Sequence, residues 1–196
     1  MTQKPPTSIN EGESFNIVCE TDSANPVADI QFHRKRRGGT WEQLTSGITS
    51  DDRAGEFNGM IRKSTMTVTA KRLDTQAVFK CEVKDGSFQV EQTETVNVYY
   101  KAKWNPELPE VFTVASTPYS PMELVLHVIA NPSPTNVTWF FPNMTTIGGD
   151  FVAAKVNDTT YTLNKASIGV NDYGNYIVNV TNDAGISTFN FEQQGA

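Results

Sequence analysis

Any chemistry in this chain would have to run through a short inventory of side chains. Two histidines, His33 and His127, are the only imidazoles, and Cys19 and Cys81 the only thiols. Hydrolytic or transfer chemistry needs a base held against a nucleophile. The histidines fall in opposite halves of the chain, each at the outward parity of a β-rich run. Close-spaced cysteine pairs would suggest zinc; Cys19 and Cys81 are too far apart for that, and stand either as one bridge or as two reduced core thiols. Gly38-Gly39 and Gly148-Gly149 read as hairpin turns, because no helical pattern comes after them to make a phosphate loop. Asp51-Asp52 and Asp150 lack the alternating carboxylates of a calcium loop, and the Asp pair reads as a solvated bend. The expectation is a protein without catalytic residues, metal or cofactor.

Binding is better represented. Arg34-Lys35-Arg36-Arg37 puts four cations in a row at the end of a strand, and Trp41 lies close behind. Adjacent cations repel unless an anion or an acidic partner neutralises them. An aromatic beside cations has the composition of a binding hot spot. The run is a candidate site for an anionic (sulfated) glycan, anionic lipid head groups or an acidic protein, weighed against a solvated hairpin tip that shields a sheet edge. Asn-x-Thr occurs at Asn136, Asn143, Asn157 and Asn179, all in the second half. These are glycosylation candidates, and their use would fix an extracellular address.

The elements that would carry these residues are strands. Residues 14–20, 28–33, 64–69 and 77–83 alternate at period two, with Ile17, Cys19, Ile30, Phe32, Met66, Val68, Phe79, Cys81 and Val83 inward. Lys84-Asp85-Gly86-Ser87 suits a tight hairpin, since glycine accepts positive φ. The plan repeats downstream: Met122, Leu124, Leu126 and Val128, then Val137 and Trp139, then Tyr161 and Leu163, then Tyr176, Val178 and Val180. Asn182-Asp183-Ala184-Gly185 closes a second hairpin. Turn signals recur throughout and no long helical period exists, which points to an all-β fold of two tandem sandwiches, 1–100 and 101–196. A length of 196 residues suits two domains.

Net charge is −6. Residues 1–100 hold 12 Lys and Arg against 14 Asp and Glu, and residues 101–196 hold 4 against 8. That balance excludes a nucleic-acid footprint over the whole chain. No apolar run of membrane-spanning length occurs, so no membrane insertion is expected. Met1-Thr2-Gln3-Lys4-Pro5-Pro6 lacks the apolar core of a signal peptide, and the chain reads as a fragment of a longer protein.

The stretch Asp172-Tyr173-Gly174-Asn175-Tyr176-Ile177-Val178, with Trp139, Asn182 and Gly185, resembles an I-set domain of the immunoglobulin superfamily. Leu126 and Val178 stand where that family places its cysteines, so the resemblance implies a second domain without a disulfide. Gly12-Glu13, Cys19, Phe32, Phe79-Lys80-Cys81-Glu82-Val83 and the exit Val96-Asn97-Val98-Tyr99-Tyr100-Lys101 resemble the C2-type domains of nectin-like and nephrin-like adhesion molecules. Here the resemblance implies a Cys19–Cys81 bridge, an inter-sheet tie of about 4 kcal/mol by chain entropy. It also implies that Tyr176 bonds backbone at the turn before its strand.

The resemblance further implies an extracellular module, secreted or part of a surface protein, that binds a protein partner on a cell surface. A second copy of the chain is one such partner. The expected face is the exposed side of the sheet carrying His33, Lys35, Trp41, Lys80, Glu82, Lys84 and Phe88. An innate-immune receptor that binds foreign protein or glycan is the alternative, and an intracellular structural array a third. The joining segment Tyr100 to Pro106 lacks the Gly/Ser content of a flexible tether, and Trp104 is expected to wedge between the domains.

Overall fold

The fold is given by a computed structural model that describes residues 1–141, 143 and 145–196. Period-two alternation makes strands, and the strands run in chain order as β1 (Ser8–Asn10), β2 (Ser14–Glu20), β3 (Asp29–Lys35), β4 (Trp41–Leu44), β5 (Ile48–Ala54), β6 (Met60–Thr69), β7 (Ala77–Asp85), β8 (Phe88–Trp104), β9 (Thr113–Ser116), β10 (Met122–Asn131), β11 (Asn136–Phe140), β12 (Phe151–Asn157), β13 (Thr160–Lys165), β14 (Gly174–Asn182) and β15 (Gly185–Gly195). Among the described residues there is no α-helix, only short 3-10 turns at Arg72–Asp74 and Val170–Asp172. The chain forms two compact units, Met1–Tyr99 and Tyr100–Ala196.

In the first unit, β2, β6 and β5 form one layer, and β4, β3, β7 and β8 the other, with β1 parallel to β8. Every second residue points in: Phe15, Ile17 and Cys19 meet Ile30, Phe32, Phe79, Cys81 and Met66 in one core. Phe15 and Phe79 pack edge to face at 5.5 Å, a favoured aromatic geometry. Cys19 and Cys81 are joined across the layers. Gly86, at φ +56°, sits in the two-residue turn that pairs Asp85 with Phe88, a backbone that an L side chain resists. Asp51-Asp52 is not a bend. Both residues lie in β5, where Asp52 opposes Arg62. Arg62 Nε and Nη2 donate to the two Asp52 oxygens at 2.8 Å each.

In the second unit, β12, β13, β10 and the last residues of β8 form one layer, and β11, β14, β15 and β9 the other. Met122, Leu124, Leu126 and Val128 face Trp139, Tyr176, Val178 and Val180 in a core without a cysteine. Leu126 and Val178 are both 0% exposed. Burying such a side chain stabilises by about 1.5–3 kcal/mol, so packing supplies what a covalent tie would. Trp139 lies on Phe191 at 5.5 Å.

The Tyr176 hydroxyl donates to the Asp172 carbonyl at 2.6 Å, and burial pushes this phenol up to about 12. The Asp172 carboxylate in turn accepts from Lys165 Nζ at 2.8 Å and from the Gly169 amide at 2.7 Å, so the turn before β14 is fixed from both sides.

Trp104 finds its partners inside the second unit. It packs against Phe112 at 4.9 Å and His127 at 5.9 Å, and its indole N–H donates to the Leu108 carbonyl. The loop after β8 folds back over the ring.

Candidate functional site

Cross-strand register decides which residues share a face. His33 opposes Lys80, Gln31 opposes Glu82, and Asp29 opposes Lys84. On β4, Trp41 opposes Lys35. The outward side of the β4-β3-β7-β8 sheet therefore carries Trp41, His33, Lys80, Glu82 and Lys84 together.

Glu82 is the centre of this face. Although its strand parity points outward, only 4% of it is exposed. Lys80 Nζ lies 2.8 Å from its carboxylate and Lys84 Nζ 2.6 Å. The ladder extends sideways from Lys80 to Glu91 at 3.1 Å and from Lys84 to Gln31 at 3.3 Å. Charge-assisted hydrogen bonds from Lys80 and Lys84 hold the Glu82 carboxyl down at about 2 and raise Lys80. Lys80 Nζ also sits over the Trp41 ring, 5.0 Å from its centroid, a cation–π contact. His33 is pushed down by burial and then by Lys80, so its ring is neutral at pH 7. Its Nδ1 is 3.9 Å from Glu82 and makes no hydrogen bond.

Removing the central charge leaves two ammoniums facing each other. Glu82→Gln is expected to lower the stability of the first unit by about 1–3 kcal/mol at pH 7, the scale of hydrogen bonds to charged groups. The folded carboxyl titrates below its ordinary value, so its contribution is present above the usual pH 4.5 and lost as pH falls toward 2. Urea midpoints compared at the two ends of that window should show the gap between wild type and variant closing in acid. An equal gap at both ends would deny the ladder its role.

The basic hairpin is organised differently from a bare run of cations. Arg34 and Arg36 turn toward Asp74, which is 1% exposed. Arg34 Nη1 reaches Asp74 at 3.2 Å and Arg36 Nε at 2.9 Å, while Arg34 Nη2 reaches Glu42 at 3.0 Å. Arg34 and Arg36 thus pair with buried Asp74 and with Glu42, while Lys35 and Arg37 are exposed. An anion at this hairpin would meet two cations, not four.

Phe88 departs from the expected face. It shares the parity of Val83 and Val90, opposite to Trp41. With Ala24, Ala28 and Cys81 these residues line a cleft of about 320 Å³ in the first unit, and Phe88 remains 66% exposed. Burial of Glu82 is the feature that sequence reasoning misses. The Lys80-x-Glu82-x-Lys84 spacing, which places alternating charges on one side of a strand, is its only signal.

His127 Nδ1 is 3.1 Å from Thr160 Oγ1 in the second unit, whereas His33 belongs to the first. Among the described residues no group of three or more His, Cys, Asp or Glu could hold a metal ion, and no helix is long and apolar enough to cross a membrane. The four sequons separate by geometry. Asn143 lies in a turn and Asn157 ends β12 just before one, and each side-chain oxygen accepts from the backbone N–H of the Thr two residues on, at 3.0 and 2.9 Å. Asn136 and Asn179 stand on strands, facing outward.

Against known proteins, a family model described as a CD80-like C2-set immunoglobulin domain matches residues 1–106. One described as an immunoglobulin I-set domain matches residues 114–193. Similar solved structures include a titin fragment at 19% identity, covering 96% of this chain and 93% of that one with a TM-score of 0.55. The full ectodomain of mouse nectin-like molecule 4 matches at 18% identity, 94% and 60% coverage and TM-score 0.58. The Ig1-Ig2 segment of Dpr2, solved in complex with DIP-Theta Ig1-Ig3, matches at 16%, with 98% and 62% coverage and TM-score 0.56. At these identities the likeness is one of fold.

Proposed function

The chain belongs to the immunoglobulin superfamily, as a CD80-like C2-set domain followed by an I-set domain, and from that premise we propose that it is an extracellular recognition module binding a protein partner through the outward side of β4-β3-β7-β8. The observation that carries the reading is Trp41. It is 41% exposed, rests on Lys80, and stands beside a charge ladder that is already neutralised from within. A rigid aromatic next to charges that are already paired gives a partner apolar area to cover without stranding a bare charge. Lys35 and Arg37 at the neighbouring hairpin would steer an acidic partner toward this face. The Dpr2 segment in complex with another Ig protein, and the nectin-like ectodomain, support the reading by analogy of architecture.

Truncating a hot-spot aromatic costs about 2 kcal/mol or more, roughly thirtyfold in affinity. Trp41→Ala is therefore expected to weaken association about thirtyfold. Sedimentation equilibrium of the chain alone tests self-association, and surface plasmon resonance against a panel of ectodomains tests other partners. A partner held by Trp41→Ala with unchanged affinity would place the binding surface elsewhere.

A further inference from the structure

The sheet of β11, β14 and β15 in the second unit contrasts with the ladder-bearing sheet of the first. The segments 136–140, 177–181 and 186–190, which make its middle, contain no Lys, Arg, Asp or Glu. Its outward side is built from Asn and Thr with Phe140, Ile177 and Ile186, and Ile186 is 57% exposed. An uncharged face that exposes apolar side chains invites association. Two sequons lie on it in reciprocal register: Asn136 opposes Thr181, and Thr138 opposes Asn179. Each modifiable amide thus stands across from the hydroxyl of the other sequon.

The two amides are not equivalent. Asn136 is exposed at the start of the edge strand β11, and its amide nitrogen meets Thr138 Oγ1 at 3.1 Å. Asn179 is half-buried in β14, between β11 and β15, and its Oδ1 accepts from Thr188 Oγ1 at 2.8 Å.

We propose that an N-linked oligosaccharide on Asn136 covers this face, so that carbohydrate rather than protein occupies it. Asn136 Nδ2 forms the bond to the anomeric carbon of an oligosaccharide carried on a polyprenyl diphosphate. The anomeric C–O bond breaks, the diphosphate leaves with the electron pair, and one amide proton passes to solvent. The proposal rests on the extracellular reading of the chain's function.

The test is the full chain secreted from eukaryotic cells behind an added leader. Amidase treatment leaves aspartate wherever an asparagine carried sugar, and peptide mapping should find it at position 136. Asn136→Gln should lose one oligosaccharide from the intact mass, and so should Thr138→Val, which keeps the asparagine and guards against a folding defect. Hydroxyl-radical footprinting should show Ile177 and Ile186 several-fold more reactive once the sugar is removed. Sugar found only at Asn143, Asn157 or Asn179, or at no position, overturns the proposal, as does footprinting unchanged by amidase. A native protein found only inside cells would remove the location yet leave this site map standing, because secretory expression supplies the donor in either case.

Discussion

Trp139→Ala is expected to destabilise the second unit strongly while leaving the stability of the first unchanged. Trp139 is 3% exposed, opposes Val178 of β14 and packs on the Phe191 ring. Truncating a buried tryptophan removes its apolar area and leaves a cavity, at a cost of about 3–5 kcal/mol. Unlike the first unit, this core has no covalent tie to limit the consequence. For a domain of this size each kcal/mol moves the melting temperature by about 4–8 °C, so calorimetry should show one transition falling by more than about 10 °C. The first unit's core shares no residue with this one, and its transition should remain. Two transitions falling together, or neither, would refute a self-contained core in the second unit.

The reverse experiment is expected to affect only the first unit. Cys19 and Cys81 close a sequence separation of 62, and the chain-entropy relation gives about 4 kcal/mol for a loop of that size. Cys19→Ala with Cys81→Ala removes that constraint together with two small buried side chains. Reduction without substitution removes the constraint alone. Urea unfolding with and without reductant should displace one midpoint and leave that of the cysteine-free unit in place. A reductant-insensitive first unit would show that its layers hold by packing, with the bridge incidental.

Much of this architecture can be read from alternation. Met122, Leu124, Leu126 and Val128 sit at every second position in the sequence and are buried at every second position in the fold. Asp172-x-Gly174-x-Tyr176 announces a hydroxyl-to-backbone bond that the structure contains. Strands with polar residues on both sides cannot be read in this way. β5 holds Asp51, Asp52 and Arg53 without alternation, and its pairing becomes visible only when β6 lays Arg62 opposite Asp52. Arg34 and Arg36 find Asp74 in a turn far along the chain, a meeting that no local pattern encodes. Phe88 lies on the face opposite to the expected one because parity after a hairpin depends on the number of residues in the turn. Burial of Glu82 depends on the lysine stems that fold over it, and stem direction is invisible in a string of letters.

The absence of cysteine from the second unit also bears on how the chain is made. Its amino-terminal unit reaches its final covalent state only where an oxidant is available. The carboxy-terminal unit needs none, since Leu126, Trp139, Tyr176 and Val178 form its core without a thiol. Of these two units, then, only the one holding Cys19 and Cys81 depends on thiol oxidation for its final covalent state, and its neighbour can complete its fold without waiting for it.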